Sequence, residues 1–137
     1  MTAYEILKEA GKMDKNVLCA SVDGTITELS HEVAAGKTAE PVTFADPAGK
    51  KVFWHTASHV LAQAVKRLYP AAKLTIGPAI DNGFYYDIDS DVPFTPEVLK
   101  TIEGEMKKIV HENLRMERFL LPRDEAVRLM ESREEPY

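Results

Sequence analysis

The sequence of 137 residues predicts an α+β fold, and three observations carry that expectation. Residues 17–22 and 25–29 read as two strands joined by Asp23-Gly24, a pair that favours a tight hairpin because Gly tolerates positive φ. Val60, Leu61, Ala64, Val65 and Leu68 recur at helical spacing up to Pro70, which predicts a helix over about 56–68. Val98, Leu99, Ile102, Met106, Ile109 and Val110 do the same and predict a second long helix over 96–113.

Taken in order, residues 2–11 form a short helix, with Thr2 as its cap and Gly11 placed to end it. The 17–29 hairpin follows. Residues 41–44 suit a further short strand, and 46–50, Asp-Pro-Ala-Gly-Lys, is turn chemistry that places a boundary near residue 50. Two parts are therefore expected, 1–50 and 51–137. Beyond the helix ending at Leu68, residues 73–76 and 84–89 look like strands around a loop holding Gly77-Pro78 and Asn82-Gly83. Backbone there turns tightly and can approach a ligand closely. Thr95-Pro96-Glu97 is a strong helix start, combining a capping Thr, Pro in the first turn and an acid at the positive end of the dipole. Residues 115–121 suit a short strand. Residues 122–130 open a last helix before a polar tail at 131–137, and there is no internal repeat.

Composition narrows the function classes. With 45% hydrophobic residues the chain can build a real core. Its net charge of −5 comes from mixed acids and bases, so no basic stripe advertises a phosphate-backbone binder. Cys19, the sole cysteine, excludes an internal disulfide and a multi-cysteine zinc site. No apolar run approaches the roughly 20 residues that span a bilayer. A cytoplasmic chain without membrane partners is expected.

The best chemical lead is His55 and His59, four apart and so on one face of a helix. Two imidazoles on one face can orient a water or exchange protons near neutral pH, where histidine titrates. The spacing alone is common, and it leaves open a structural or merely solvated pair. A zinc site needs further ligands, and Thr56 stands where the metalloprotease pattern H-E-x-x-H has Glu. His31 and His111 supply no obvious third ligand, so no metal site is expected. The loop at 77–83 reads equally as plain turn chemistry. Strand alternation would send Tyr85 and Tyr86 to opposite sheet faces, one into the core and one available. The acids between Asp81 and Asp91 suit a solvated edge.

His55-Thr56-Ala57-Ser58-His59-Val60-Leu61, the Lys-Arg-Leu-Tyr-Pro run ending at Pro70, and Ile76-Gly77-Pro78-Ala79-Ile80-Asp81-Asn82-Gly83-Phe84-Tyr85-Tyr86-Asp87 together resemble the N-terminal region of bacterial threonyl-tRNA synthetases. Residues 3–44 resemble, more loosely, the β-grasp TGS domain of that family, and the tail at 131–137 resembles the continuation of its editing domain. The resemblance implies a partial TGS-like β-grasp domain over 1–50, followed by the first part of the editing domain over 51–137. It implies hydrolysis of mischarged seryl-tRNA(Thr), with His55 and His59 as catalytic residues that position or activate the attacking water. Gly77 and Tyr86 would line the pocket for the seryl ester and terminal adenosine. The partner implied is tRNA(Thr), in the context of the full enzyme. ATP and zinc belong to the synthetic domain of that enzyme, so no cofactor is expected in this chain.

Two departures from the family pattern accompany the resemblance. The family completes its editing site with a C-x-x-x-H element further along, which this sequence lacks. Its TGS domain also begins with a strand-turn-strand ahead of the helix at Ala3. A chain truncated at both ends, inactive alone and without aminoacylation motifs, is the expectation. Two other classes stand beside it. A non-catalytic RNA- or nucleotide-binding module is one, since similar domains precede certain nucleoside kinases; the intact 82–87 motif and both histidines argue against it. A free-standing metal-dependent deacylase is the other, disfavoured by the missing C-x-x-x-H element.

Overall fold

Thr2 opens the first helix by a reciprocal exchange. Its hydroxyl accepts the Glu5 N–H at 3.2 Å while the Glu5 carboxylate accepts the Thr2 N–H at 2.8 Å, so two orphan donors of the first turn are satisfied. Helix α1 then runs over Ala3–Glu9. The computed structural model describes residues 1–116 and 118–136 and divides into two compact units, Met1–Thr56 and Ala57–Tyr137.

In the first unit β1 (Val17–Val22) is the central strand of an antiparallel sheet, between β2 (Thr25–Thr27) and β3 (Glu40–Thr43). Val22 faces Thr25, leaving Asp23 and Gly24 as a two-residue loop with φ of 51° and 79°. Both central residues thus take the positive φ that the expected hairpin turn requires. Ala3 and Leu7 of α1 pack with Val17, Ala20, Val22, Val33 and Ala39 to form the core. Complete burial of a side chain such as Leu7 contributes about 1.5–3 kcal/mol.

The reading of 46–50 as a turn is corrected. Residues from Pro47 onward are already helical, and α2 spans Pro47–Leu68. Pro sits at the first helical position, where its missing N–H costs nothing, and the Lys50 N–H donates to the Asp46 carbonyl at 2.9 Å. Turn chemistry and helix-start chemistry share Asp and Pro, and here the helix wins. The two compact units are divided after Thr56.

In the second unit Ala64 and Val65 of α2 form a core with Ala72, Ile102 and Ile109, against which Ile88 and Met106 also pack. Short strands follow the helix. β4 (Lys73–Leu74), β5 (Ala79–Ile80), β6 (Gly83–Phe84) and β7 (Ile88–Asp89) pair antiparallel as β4 with β7 and β5 with β6. The strand expected over 84–89 is therefore broken at Tyr85–Asp87, although backbone bonds continue there: Thr75 N–H to the Asp87 carbonyl at 3.1 Å and Asp87 N–H to the Ile76 carbonyl at 2.8 Å. Helix α3 (Pro96–Glu112) starts as expected, the Thr95 hydroxyl accepting the Val98 N–H, and Asn113 ends it in the left-handed conformation, φ 48°. Arg67 ties α2 to α3, its guanidinium reaching Glu112 at 2.7 Å and Glu105 at 3.5 Å.

The strand expected over 115–121 is absent among the described residues of that stretch; Glu117 lies outside them. Strands need a laterally hydrogen-bonded partner, and none pairs with this segment among the described residues. The last helix, α4, occupies Arg123–Ser132.

Candidate functional site

Helix α2 presents His55 and His59 one turn apart, both exposed, while Ser58 between them is fully buried. Burial of Ser58, Ala62 and Val65, at spacings of four and three, turns one stripe of the helix inward. Both histidines are exposed beside that stripe. Exposed imidazoles at such positions can reach and orient water. Among the described residues no three His, Cys, Asp or Glu side chains gather as a metal cluster, and two imidazoles supply half of a tetrahedral zinc shell.

The structure brings Gly77 and Tyr86 together. A Cβ built on Gly77 would lie 2.1 Å from the Tyr86 Cδ2 and 2.4 Å from its Cε2, so the ring lies against bare backbone. Only Gly at position 77 permits that approach. The backbone bonds on either side of Asp87 fix the height of Tyr86, because they clamp Thr75 and Ile76 to the residue that follows it. Of the two tyrosines, Tyr85 is 51% exposed and Tyr86 is partly buried. Burial, and then the charge of Glu135, hold the Tyr86 hydroxyl above the usual phenol range. It stays protonated at neutral pH and so remains a hydrogen-bond donor.

Tyr86 lines a cavity of about 430 Å³ with Lys66, Leu74, Thr75, Met130, Arg133 and Glu135. Neither histidine is among its described lining residues. Sequence reasoning singled out Tyr86 but missed Lys66, Arg133 and Glu135. Lys66 lies two turns beyond His59 on α2, a signal that helical periodicity offers. Glu135 sits in what reads as a polar tail, and nothing in local spacing couples it to Lys66.

No family model matches the sequence. Among curated proteins, the threonine–tRNA ligase of Clostridium kluyveri is 54% identical over 125 residues, that of Clostridium tetani 54% over 132, and that of Caldanaerobacter subterraneus subsp. tengcongensis 48% over 138. These alignments cover 91%, 96% and 100% of this chain. The chain belongs with the N-terminal region of threonine–tRNA ligases. It spans about a fifth of the length of these relatives, 20–21% of each. In this ligase-family chain no helix is long and apolar enough to cross a membrane, among the described residues.

Proposed function

We propose that this region of a threonine–tRNA ligase serves post-transfer editing, the hydrolysis of seryl-tRNA(Thr), with tRNA(Thr) as its partner. On this reading residues 1–50 are a portion of a TGS-like β-grasp domain and residues 51–137 the first part of an editing domain. The need for such a site follows from specificity limits. Ser and Thr differ by one methyl, worth only about 1–3 kcal/mol of discrimination, so a second, hydrolytic sieve is required where fidelity must be higher.

His55 and His59 orient and activate the attacking water, and Gly77 with Tyr86 forms the wall that receives the seryl ester and terminal adenosine. The observation that carries the reading is the His pair of a threonine–tRNA ligase relative, turned to solvent one helical turn apart on α2 rather than buried in its core. Proton transfer by such positioned groups contributes typically about 10²–10⁴ in rate. Exposure also limits the 137-residue chain by itself. Bulk water reaches both imidazoles, and without enclosure the ester carbon and its nucleophile are not held in near-attack geometry.

Seryl-tRNA(Thr) deacylation tests this reading. The chain alone is expected to hydrolyse the ester little above the uncatalysed rate, whereas a full-length threonine–tRNA ligase carrying it hydrolyses the ester readily. Loss of that activity on His59→Ala supports the assignment. Full activity in that variant contradicts it and favours a non-catalytic binding module.

A further inference from the structure

The last segment of the second unit is held by more bonds than a polar tail requires. Helix α4 ends with Glu134 in the left-handed conformation, φ 57°, with the Glu135 N–H donating to the Met130 carbonyl at 3.0 Å and the Glu134 N–H to the Glu131 carbonyl at 3.0 Å. This is the reversal that Gly normally makes, taken here by a residue that pays a steric cost for it. Two lysines, Lys73 of β4 and Lys66 of α2, meet the reversed chain. Lys73 donates to the Glu134 carbonyl at 2.5 Å. Lys66 reaches Glu135 Oε1 at 2.6 Å and also donates to the Pro70 and Ala72 carbonyls, both at 2.9 Å.

All three ammonium donors of Lys66 are thereby used, two on the turn that leaves α2 and one on Glu135. The pair is shielded, with side-chain exposures of 26% and 16%, so it is screened less than a surface ion pair. Glu135 Oε2 is buried and has no hydrogen-bond partner among the described residues. Glu135 and Lys66 both line the cavity that Tyr86 lines.

We propose that Lys66 and Glu135 form a pin that fixes the chain leaving α4 along the Tyr86 cavity, making Glu135 a positioning residue for the Tyr86 wall. The pin joins three pieces of backbone, the end of α2, the turn before β4 and the reversal after α4, at one ammonium group. Its strength lies in shared geometry: Lys66 cannot follow Glu135 outward without leaving two carbonyls unsatisfied. In this the proposal rests on the editing reading, because it assigns Tyr86 a part in binding the seryl ester.

The test uses the 137-residue chain with Glu135→Gln, which preserves shape and removes the charge. Three quantities are read by NMR and calorimetry: exchange of the Glu134 and Glu135 amides, the titration of the Tyr86 ring, and binding of a non-hydrolysable 3′-seryl-amino adenosine. Exchange at the two amides is expected to accelerate by about tenfold or more, the loss equivalent to one charge-assisted bond. Tyr86 should titrate lower, towards its ordinary value, since a neighbouring negative charge is gone. Analogue binding should weaken several-fold while amides of the first unit, such as Leu7 and Val22, keep their protection. Glu135→Asp, which keeps the charge on a shorter arm, should retain the Tyr86 titration better than Gln and serves where Gln fails to fold. Unchanged exchange and unchanged Tyr86 titration in Glu135→Gln would overturn the pin. If both move but neither the unaltered chain nor a full-length threonine–tRNA ligase carrying it binds the analogue, the pin stands and the editing assignment of this cavity fails.

Discussion

Substituting Ala for Gly77 probes the contact on which the Tyr86 wall depends. A Cβ there would meet the ring at 2.1 Å, roughly 1.3 Å inside the 3.4 Å at which ordinary contact begins. The obstacle is a rigid ring whose backbone is held through Asp87, with bonds to Thr75 and Ile76 on the same side as Gly77. Rotation of a flexible terminus cannot relieve it. Forced overpacking of this kind typically costs about 1–3 kcal/mol, which for a unit of this size lowers its Tm by roughly 5–15 °C. Thermal unfolding followed by near-UV circular dichroism reports on the tyrosines directly. A double-mutant cycle with Tyr86→Ala isolates the cause: removing the ring should relieve most of the Gly77→Ala penalty, giving a coupling of at least about 0.5 kcal/mol. If Gly77→Ala melts with the unaltered chain, or the cycle shows no coupling, the ring does not rest on Gly77 and the wall as described is wrong.

Other expectations follow from the same structure. Thr2→Ala should destabilise the first unit by about 1 kcal/mol in chemical denaturation, since it removes one side of the reciprocal cap. The Glu5 carboxyl, held below the usual carboxylate range first by the backbone N–H of Thr2, keeps that bond in the variant and should still titrate low; a depressed folded pKa stabilises above the unfolded value and is lost as pH falls through the folded one, so both proteins should lose this contribution in acid and the difference between them should persist. His55→Ala and His59→Ala should each shift stability by no more than about 0.5 kcal/mol, because both side chains are exposed. Cys19, buried in β1 with its thiol pushed up by burial and then by Asp46, should react with iodoacetamide at mildly alkaline pH about tenfold or more slower than in the unfolded chain.

Much of the fold was legible because its signals are local. Asp23-Gly24 specifies its own turn, and Thr95-Pro96 specifies a helix start, regardless of what packs nearby. The start of α2 was misread because Asp46 and Pro47 serve turns and helix N-termini alike, and the choice between them is made by the Lys50 N–H bonding the Asp46 carbonyl. Residues 115–121 carry strand-like composition, but a strand exists only where another pairs with it. The site divides in the same way. His55 and His59 were visible through helical periodicity, and the closeness of Gly77 to Tyr86 was implied only by resemblance, since it arises where the chain folds back between β4 and β7. Lys66 and Glu135 meet through tertiary structure alone.

A hydrolytic site built on the His pair of α2 should lose its chemistry with one imidazole while aminoacylation, carried elsewhere, is spared. The most direct measurement is the rate of seryl-tRNA(Thr) deacylation by a full-length threonine–tRNA ligase carrying this region, with and without His59→Ala, alongside its rate of threonylation. Deacylation should fall by about 10² or more, the scale of a lost proton-transfer or water-positioning group, while threonylation is retained. Deacylation that survives His59→Ala unchanged would contradict it.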